Sequence, residues 1–541
     1  MTRAFTGTGV LTRLAVRRDR VRLPIWLVGL AALVGATASG IAGLYTTEAD
    51  RVANAAVRAG SVVARAFNGA APGSGVGALT VSEVLVYVAV LAALLNILTV
   101  VRHTRQNEEL GRAELTGSAA VGRHAGLTSA LLVACAADVV LAVLGALSLV
   151  VNGLPAAGSF AAGAAVGAVG MAFAAITAVT AQVAATARGA TGLAGAVLGL
   201  AYLLRATGDA LGETSTDGLT VTPAWPSWLS PIGWGQQLLP FGANRWWPMA
   251  LFAAFAALAL VAAARLSIHR DVGTGMLPVR RGRTRARSGM LSPLGLAWRL
   301  QRGVLFGWLV GIAVTGVAFG GLGDQADELF GSEQSAELMR RLGGGGSLVD
   351  YYFAGMMSLL GVIVAGYTMQ AMLRMRADEV GGPAELMLAT AVSRPRCLAA
   401  PVLCAVAGTA LVLAVLGVST GLAYGVVVGD VPGAVGDLLE TTLAQLAPTL
   451  VLAGFVVAVF GLVPRLAAAL SWAAFAVCLV VGQLGSLFGL PRAVISVSPF
   501  THLPNLPADP LTAAPLLIMF AVAAALLTAG FLAFRRRSLA L

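Results

Sequence analysis

Two short polar segments carry the same order of residue types. Residues 105–123 read RQNEELGRAELTGSAAVGR, and residues 376–394 read RADEVGGPAELMLATAVSR. They share Arg105/Arg376, Glu108/Glu379, Gly111/Gly382, Glu114/Glu385, Leu115/Leu386, Val121/Val392 and Arg123/Arg394. Carboxylates spaced among arginines suit ion pairing and docking. Glu108 to Leu115, like Glu379 to Leu386, is expected to form a short helix at a membrane surface. Leu115 and Leu386 would pack, while Glu114 and Glu385 would face a partner or a nearby Arg. Gly111 and Gly382 would permit a turn or a close approach. A solvated loop would account for the arginines but not for the repeated carboxylates. The copies differ at Glu109 and Arg112, where the second has Val380 and Pro383.

Other chemistry is excluded by residue type. All 36 basic residues are Arg. A phosphate-cradling G-x-x-x-x-G-K-[ST] loop needs its Lys to reach the phosphates, so the chain has no such loop. Schiff-base and general-base lysines are excluded as well. Cys135, Cys397, Cys404 and Cys478 lie in or beside apolar runs without a C-x-x-C pair, and read as small core hydrophobes. His103, His124, His269 and His502 are scattered, so neither a metal site nor a catalytic cluster is expected.

The elements that carry these segments must be membrane spans. The chain has 541 residues, 58% hydrophobic and 11% charged. Soluble domains carry roughly 25% charged residues. Apolar runs long enough to cross a bilayer fall at about 23–45, 84–101, 126–151, 159–186, 190–207, 247–266, 303–322, 351–373, 397–425, 441–463, 467–488 and 514–534. The boundaries of the fifth and tenth are the softest. The first lacks an A-x-A-like cleavage site and is expected to remain as a span. Twelve spans put both termini on one side. With the termini inside, 28 of the 36 arginines fall on inner segments, which puts both termini on the cytoplasmic side of the membrane.

The chain also reads as two halves. Residues 14–29 match 296–311 at nine of sixteen positions, including Arg17/Arg299, Arg20/Arg302 and Trp26/Trp308. Ser230-Pro231 and Ser498-Pro499 stand at equivalent places before spans 6 and 12. The register shift falls from 282 to 271 to 268 along the chain. Six spans per half make the repeat parallel. The expected fold class is all-α integral membrane, with two parallel-repeated six-helix halves: 1–266 and 291–541, joined by a basic linker at 267–290. That linker holds Arg280, Arg281, Arg283, Arg285 and Arg287, and suits anionic lipid better than nucleic acid.

Three further features follow from position. Before span 1, Arg13, Arg17 and Arg20 share one helical face opposite Leu11, Leu14, Ala15 and Val21, as expected of an interfacial helix. Its copy carries Arg299 and Arg302. The stretch WPSWLSPIGWGQQLLPFGANRWW within 208–246 suggests a structured, re-entrant outer element. Inside the spans, Asp138 is the deepest carboxylate, and an ionisable group there is a functional candidate. Tyr87, Asn96, Tyr367 and Gln370 are candidates for a substrate path, while Arg205 and Asp209 are spaced for a structural pair.

These residues resemble a known family. The pattern E-x-x-G-x-x-E-L followed by Val-x-Arg resembles the coupling segment of type-2 ABC transporter permeases. The amphipathic segments before spans 1 and 7 resemble their connecting helices, and the element before span 6 their outer re-entrant element. The fused halves are similar to bacterial exporters of polyketide antibiotics, such as the tetronasin and multidrug efflux group. The resemblance implies coupling residues Glu108, Gly111, Arg112, Glu114, Leu115 and Arg123, and Glu379, Gly382, Glu385, Leu386 and Arg394. It implies two copies of a cytoplasmic ATPase, which bring ATP and Mg, and a hydrophobic or amphiphilic substrate. The chain itself would bind no cofactor and would be no enzyme. The alternative is a proton-coupled secondary multidrug transporter of twelve spans. Its major-facilitator form would carry a G-x-x-x-D-R-x-G-R-R loop, where these loops carry glutamates. A membrane enzyme would need clustered catalytic carboxylates or His at a membrane-face loop, and none is present.

Overall fold

A computed structural model describes residues 2–271, 273–276, 284, 288–321, 323, 347–380, 382–484 and 491–537. The linker arginines 280, 281, 283, 285 and 287, and Arg340 and Arg341, lie outside the described residues. The chain divides into two compact units, Met1–Gly282 and Arg283–Leu541. It is an all-α membrane protein. In lipid each backbone polar group must be satisfied internally, so long apolar runs form helices. The other regular structure among the described residues is a two-stranded hairpin pairing Glu213–Thr214 with Val221–Thr222.

Eleven described helices are long and apolar enough to cross a membrane. In the first unit these are span 1 (Arg22–Leu44), span 2 (from Val76), span 3 (Ala125–Val151), span 4 (Ala156–Val183), span 5 (Ala187–Ala210) and span 6 (Pro248–Ile268). In the second they are span 7 (Pro293–Gly320), span 8 (Leu348–Val380), span 9 (Arg394–Val428), span 10 (Val431–Leu462) and span 12 (Ala513–Arg536). The remaining expected span is the shorter helix Ala467–Leu484, and residues 485–490 beyond it lie outside the described residues. Spans 2 and 10, like span 7, begin well before the apolar runs that flag them. Span 2 starts at Val76 rather than 84. Span 10 starts at Val431 rather than 441, holds Glu440 within its first part, and breaks at Gln445. Hydropathy finds where a helix is apolar, not where its backbone begins.

In the first unit, span 4 is the most buried and packs against spans 2, 3 and 6. Its Gly163 and Gly167 lie against span 3 at Ala142, where a Cβ would collide with the carbonyl at Gly163 and be tightly held at Gly167. Small residues at such a contact let two backbones approach closely. In the second unit, Gly417, Gly421 and Gly425 of span 9 form the same kind of ladder against Leu439, Val435 and Val431 of span 10. Each unit has its own core. One centres on Leu85, Ile97, Val169 and Phe173, the other on Met357, Tyr367, Met372 and Leu416.

The segments before spans 1 and 7 differ. Thr8–Asp19 is a separate helix, and span 1 restarts at Arg22. The second copy is continuous with span 7, because one helix runs from Pro293 to Gly320. The separate connecting helix expected there is corrected. Pro24 supplies the reason. Its ring crowds the carbonyl of Arg20 and its nitrogen donates no bond. Phe306 stands at the equivalent position and imposes no break.

The Trp- and Pro-rich stretch within 208–246 is structured. A 3-10 turn Trp225–Leu229 leads to a short helix Pro231–Gln236, capped by the Ser230 hydroxyl, which accepts from the Ile232 and Gly233 amides. Phe241, at a positive φ of 61°, wedges against Gly77 of span 2 and Gly158 of span 4. In the second unit a helix Arg492–Ile495 and a 3-10 turn Pro499–His502 stand before span 12.

Candidate functional site

Each Glu-Gly-Glu-Leu segment folds as a helix, a left-handed glycine and a second helix. In the first, Arg105–Glu109 and Arg112–Gly117 flank Gly111 at φ +68°. In the second, span 8 runs to Val380, and Gly382 at φ +90° precedes Pro383–Leu388. The single short helix expected across each segment is therefore two helical pieces. A positive φ is nearly free for glycine and costly for residues with a Cβ. Pro383 sits at the first helical position, where its missing N–H costs nothing.

The turn divides the glutamates into two kinds. Glu108 points inward and is 12% exposed. Its oxygens accept from Arg270 Nη2 at 2.6 Å and Nη1 at 2.9 Å, from Arg105 Nη1 at 2.8 Å, and from the Gly273 amide at 3.2 Å. Glu379 repeats this, accepting from Arg376 Nη1 at 3.0 Å and from Arg537 Nη2. Both sit at the same place in their halves, and each binds the arginine just past the last span. Glu114, Leu115, Glu385 and Leu386 point outward, and the two leucines are about three-quarters exposed, at 76% and 75%. Arg112 is exposed as well.

Arg123 and Arg394 also meet the last span. The Arg123 guanidinium donates to the carbonyls of Ser267, Ile268 and Arg270 at 2.8 to 3.0 Å. Arg394 donates to the carbonyl of Arg537 at 2.7 Å and to that of Arg535 at 3.5 Å. A cation is favoured at a helix C-terminus, where the final carbonyls lack helical partners.

The connecting segments lie beside this site. Arg13, Arg17 and Arg20 are exposed, as are Arg299 and Arg302. The buried side of the first helix is Ala15 and Asp19, whereas Leu14 and Val21 are exposed. Asp19 Oδ2 lies 2.6 Å from His103 Nε2, and Asp19 Oδ1 lies 3.3 Å from Arg102 Nε. Arg18 donates to Asn107 Oδ1 at 3.1 Å. Burial, together with the like charges of Arg112 and Arg102, lowers the affinity of the Arg18 guanidinium for its proton, against the pull of Asp19. In the second half Gln301 replaces Asp19 and donates to the Pro401 carbonyl at 3.2 Å. A cavity opens at this place in both halves. The first, about 470 Å³, is lined by polar groups including Arg18, His103, Asn107 and Arg112. The second, about 110 Å³, has Leu300, Met375, Met387 and Leu388 on its wall. The two sites share a frame, and Gln301, Asp378 and Glu379 line the second as well, but its wall is the more apolar.

The substrate-path candidates separate. Asn96 and Asp138 come together: Asn96 Nδ2 donates to Asp138 Oδ1 at 2.7 Å, both residues are buried, and Gly170 leaves the room they occupy. Tyr87 is partly exposed and donates to Asn68 Oδ1 at 2.6 Å. Tyr367 is buried, with its hydroxyl against Gly408. Gln370 is exposed and accepts from Trp308 Nε1 at 3.0 Å. Asn96, Asp138 and Tyr367 therefore line no open path in this conformation. Arg205 donates to Asp209 Oδ2 at 3.3 Å and to the Phe67 carbonyl at 3.1 Å, as a structural pair does.

Sequence reasoning missed Asp19, His103, Arg270 and Arg537. The last two carry a signal. Their separation of 267 continues the falling register shift of 282, 271 and 268.

The helical architecture and the doubled site define a multi-pass membrane permease of two like halves. The family described as "Multidrug efflux system permease Rv1217c, C-terminal domain" matches the chain twice, over residues 11–266 and 290–535. The chain belongs to that family. It is 39% identical, over 538 residues, to the multidrug efflux system permease protein Rv1217c of Mycobacterium tuberculosis (strain ATCC 25618 / H37Rv). The match covers 98% of this chain and 95% of that relative.

Proposed function

We propose that this chain is the membrane subunit of an ATP-driven exporter of antibiotics or other bulky amphiphiles. Two copies of a separate cytoplasmic ABC ATPase would bind the Glu-Gly-Glu-Leu segments and supply ATP and Mg. The protein would sit in a bacterial plasma membrane with both termini cytoplasmic, a sidedness that the arginine bias supports. The observation that carries the reading is the repeated outward pair, Glu114-Leu115 and Glu385-Leu386, each held on a left-handed glycine turn. An exposed leucine beside a carboxylate suits a protein groove with an apolar floor and a basic rim. The relative's name as a multidrug efflux permease supports the substrate class. The chain's lack of Lys is consistent with a motor supplied by another chain.

The test is co-expression with an ATPase encoded beside the permease. Wild type should purify as a complex and export drug only with hydrolysable ATP. Glu114→Arg combined with Glu385→Arg should dissociate or uncouple the ATPase. Full assembly and transport in that double variant would remove the docking assignment.

A proton-coupled carrier is the second reading. It rests on Asp138, a fully buried carboxyl in the middle of span 3. Export that persists without ATP and collapses with the proton gradient would favour it.

A further inference from the structure

We propose that each coupling segment is tied at two points to the last span of its own half, so that segment and span move as one lever. Arg270 and Arg537 are then positioning residues. This rests on the docking reading for its role in transport, but the tie itself does not.

The two ties are built alike. At the first point the inward glutamate is held by an arginine that follows the last span: Glu108 by Arg270, Glu379 by Arg537. At the second point the segment's closing arginine grips the end carbonyls of that same span: Arg123 on span 6, Arg394 on span 12. One contact would allow a hinge. Two contacts from opposite ends of the segment remove that freedom. The arginines are themselves fixed. Arg270 Nε donates to Gln182 Oε1 at 2.6 Å, at the end of span 4. Arg537 Nη1 donates to the Phe460 carbonyl at 2.7 Å, and its guanidinium lies over the Phe460 and Phe534 rings at 5.1 and 5.4 Å. The Arg270–Glu108 pair is bidentate, which fixes direction as well as distance. The geometry recurs although the linings of the adjacent cavities diverge. A push on Leu115 or Leu386 would then reach the core through spans 6 and 12 as well as through the spans that flank each segment.

The experiment uses the full-length permease in lipid nanodiscs, with its four cysteines replaced. Spin labels at Leu386→Cys and Leu532→Cys report the distance between coupling segment and span 12. Wild type should give one narrow distance. Arg537→Ala should broaden it, and Arg537→Lys, which keeps a positive charge opposite Glu379 and a donor for the Phe460 carbonyl, should broaden it less. In the complex with the ATPase, Arg537→Ala should keep the subunit bound while drug exported per ATP falls about tenfold, the range of a coupling free energy. Arg537→Lys should recover part of that ratio, which a merely destabilised protein would not do. An unchanged narrow distance in Arg537→Ala overturns the tie. A broadened distance with a normal transport ratio overturns the lever. Should Arg537→Ala fail to fold, an unchanged narrow distance in Glu379→Gln overturns the tie instead. If wild type captures no ATPase, the docking reading fails while the distance measurement still decides the tie.

Discussion

Glu108 and Glu114 are the same residue type six positions apart, yet their surroundings give them opposite duties. Glu108 meets two guanidinium groups and a backbone amide in a nearly closed site. Removing it strands buried positive charge. Glu114 stands in solvent. Glu108→Ala should therefore lower stability by about 3 kcal/mol. Glu114→Ala should stay within about 0.5 kcal/mol of wild type. Thermal unfolding of the permease alone checks both, and equal losses would contradict the division. Gly170 makes a second residue-scale case. A methyl group there would meet the Asp138 carboxyl and the Asn96 amide. Gly170→Ala should cost about 1 to 3 kcal/mol from overpacking, read from the same unfolding curves.

At the scale of elements, the helix-glycine-helix turn decides what is displayed. Leu115 and Leu386 are exposed because the left-handed glycines turn the second helical piece outward. Leu115→Asp and Leu386→Asp should each weaken ATPase capture about tenfold, the loss from one leucine's burial. Together they should abolish it, as a pull-down titration would show. Stability should hardly change, since neither leucine is packed. Pro24 shows a second element-scale choice. It separates the first connecting helix from span 1, and its absence lets Pro293–Gly320 run unbroken. Hydrophobic periodicity could not show this, because both copies are amphipathic before the span. The proline itself was readable, as was the pair of glycines. Their consequence required knowing which carbonyl lay across the turn.

At the scale of the whole molecule, the two cores share no residue. A chain divided in the arginine-rich linker should therefore give two fragments that each insert and fold. Separate expression of 1–282 and 283–541 should yield a cooperative unfolding transition for each fragment. Loss of one fragment's transition without its partner would show that its core is incomplete.

Composition and periodicity by themselves determined the membrane class, most of the spans, the sidedness bias and the repeat. Those properties depend on averages over twenty residues, which a sequence carries openly. The repeated glutamates and glycines were equally plain. Only the tertiary structure decided what they do. It sent Glu108 and Glu379 inward to Arg270 and Arg537, more than 150 positions away, and left Glu114 and Glu385 free to face outward. It joined Asn96 to Asp138 across two spans rather than placing them along a path. The reason is physical. A buried charge takes whichever opposite charge the packing of helices brings within hydrogen-bonding reach, and that distance is set by the fold rather than by spacing along the chain.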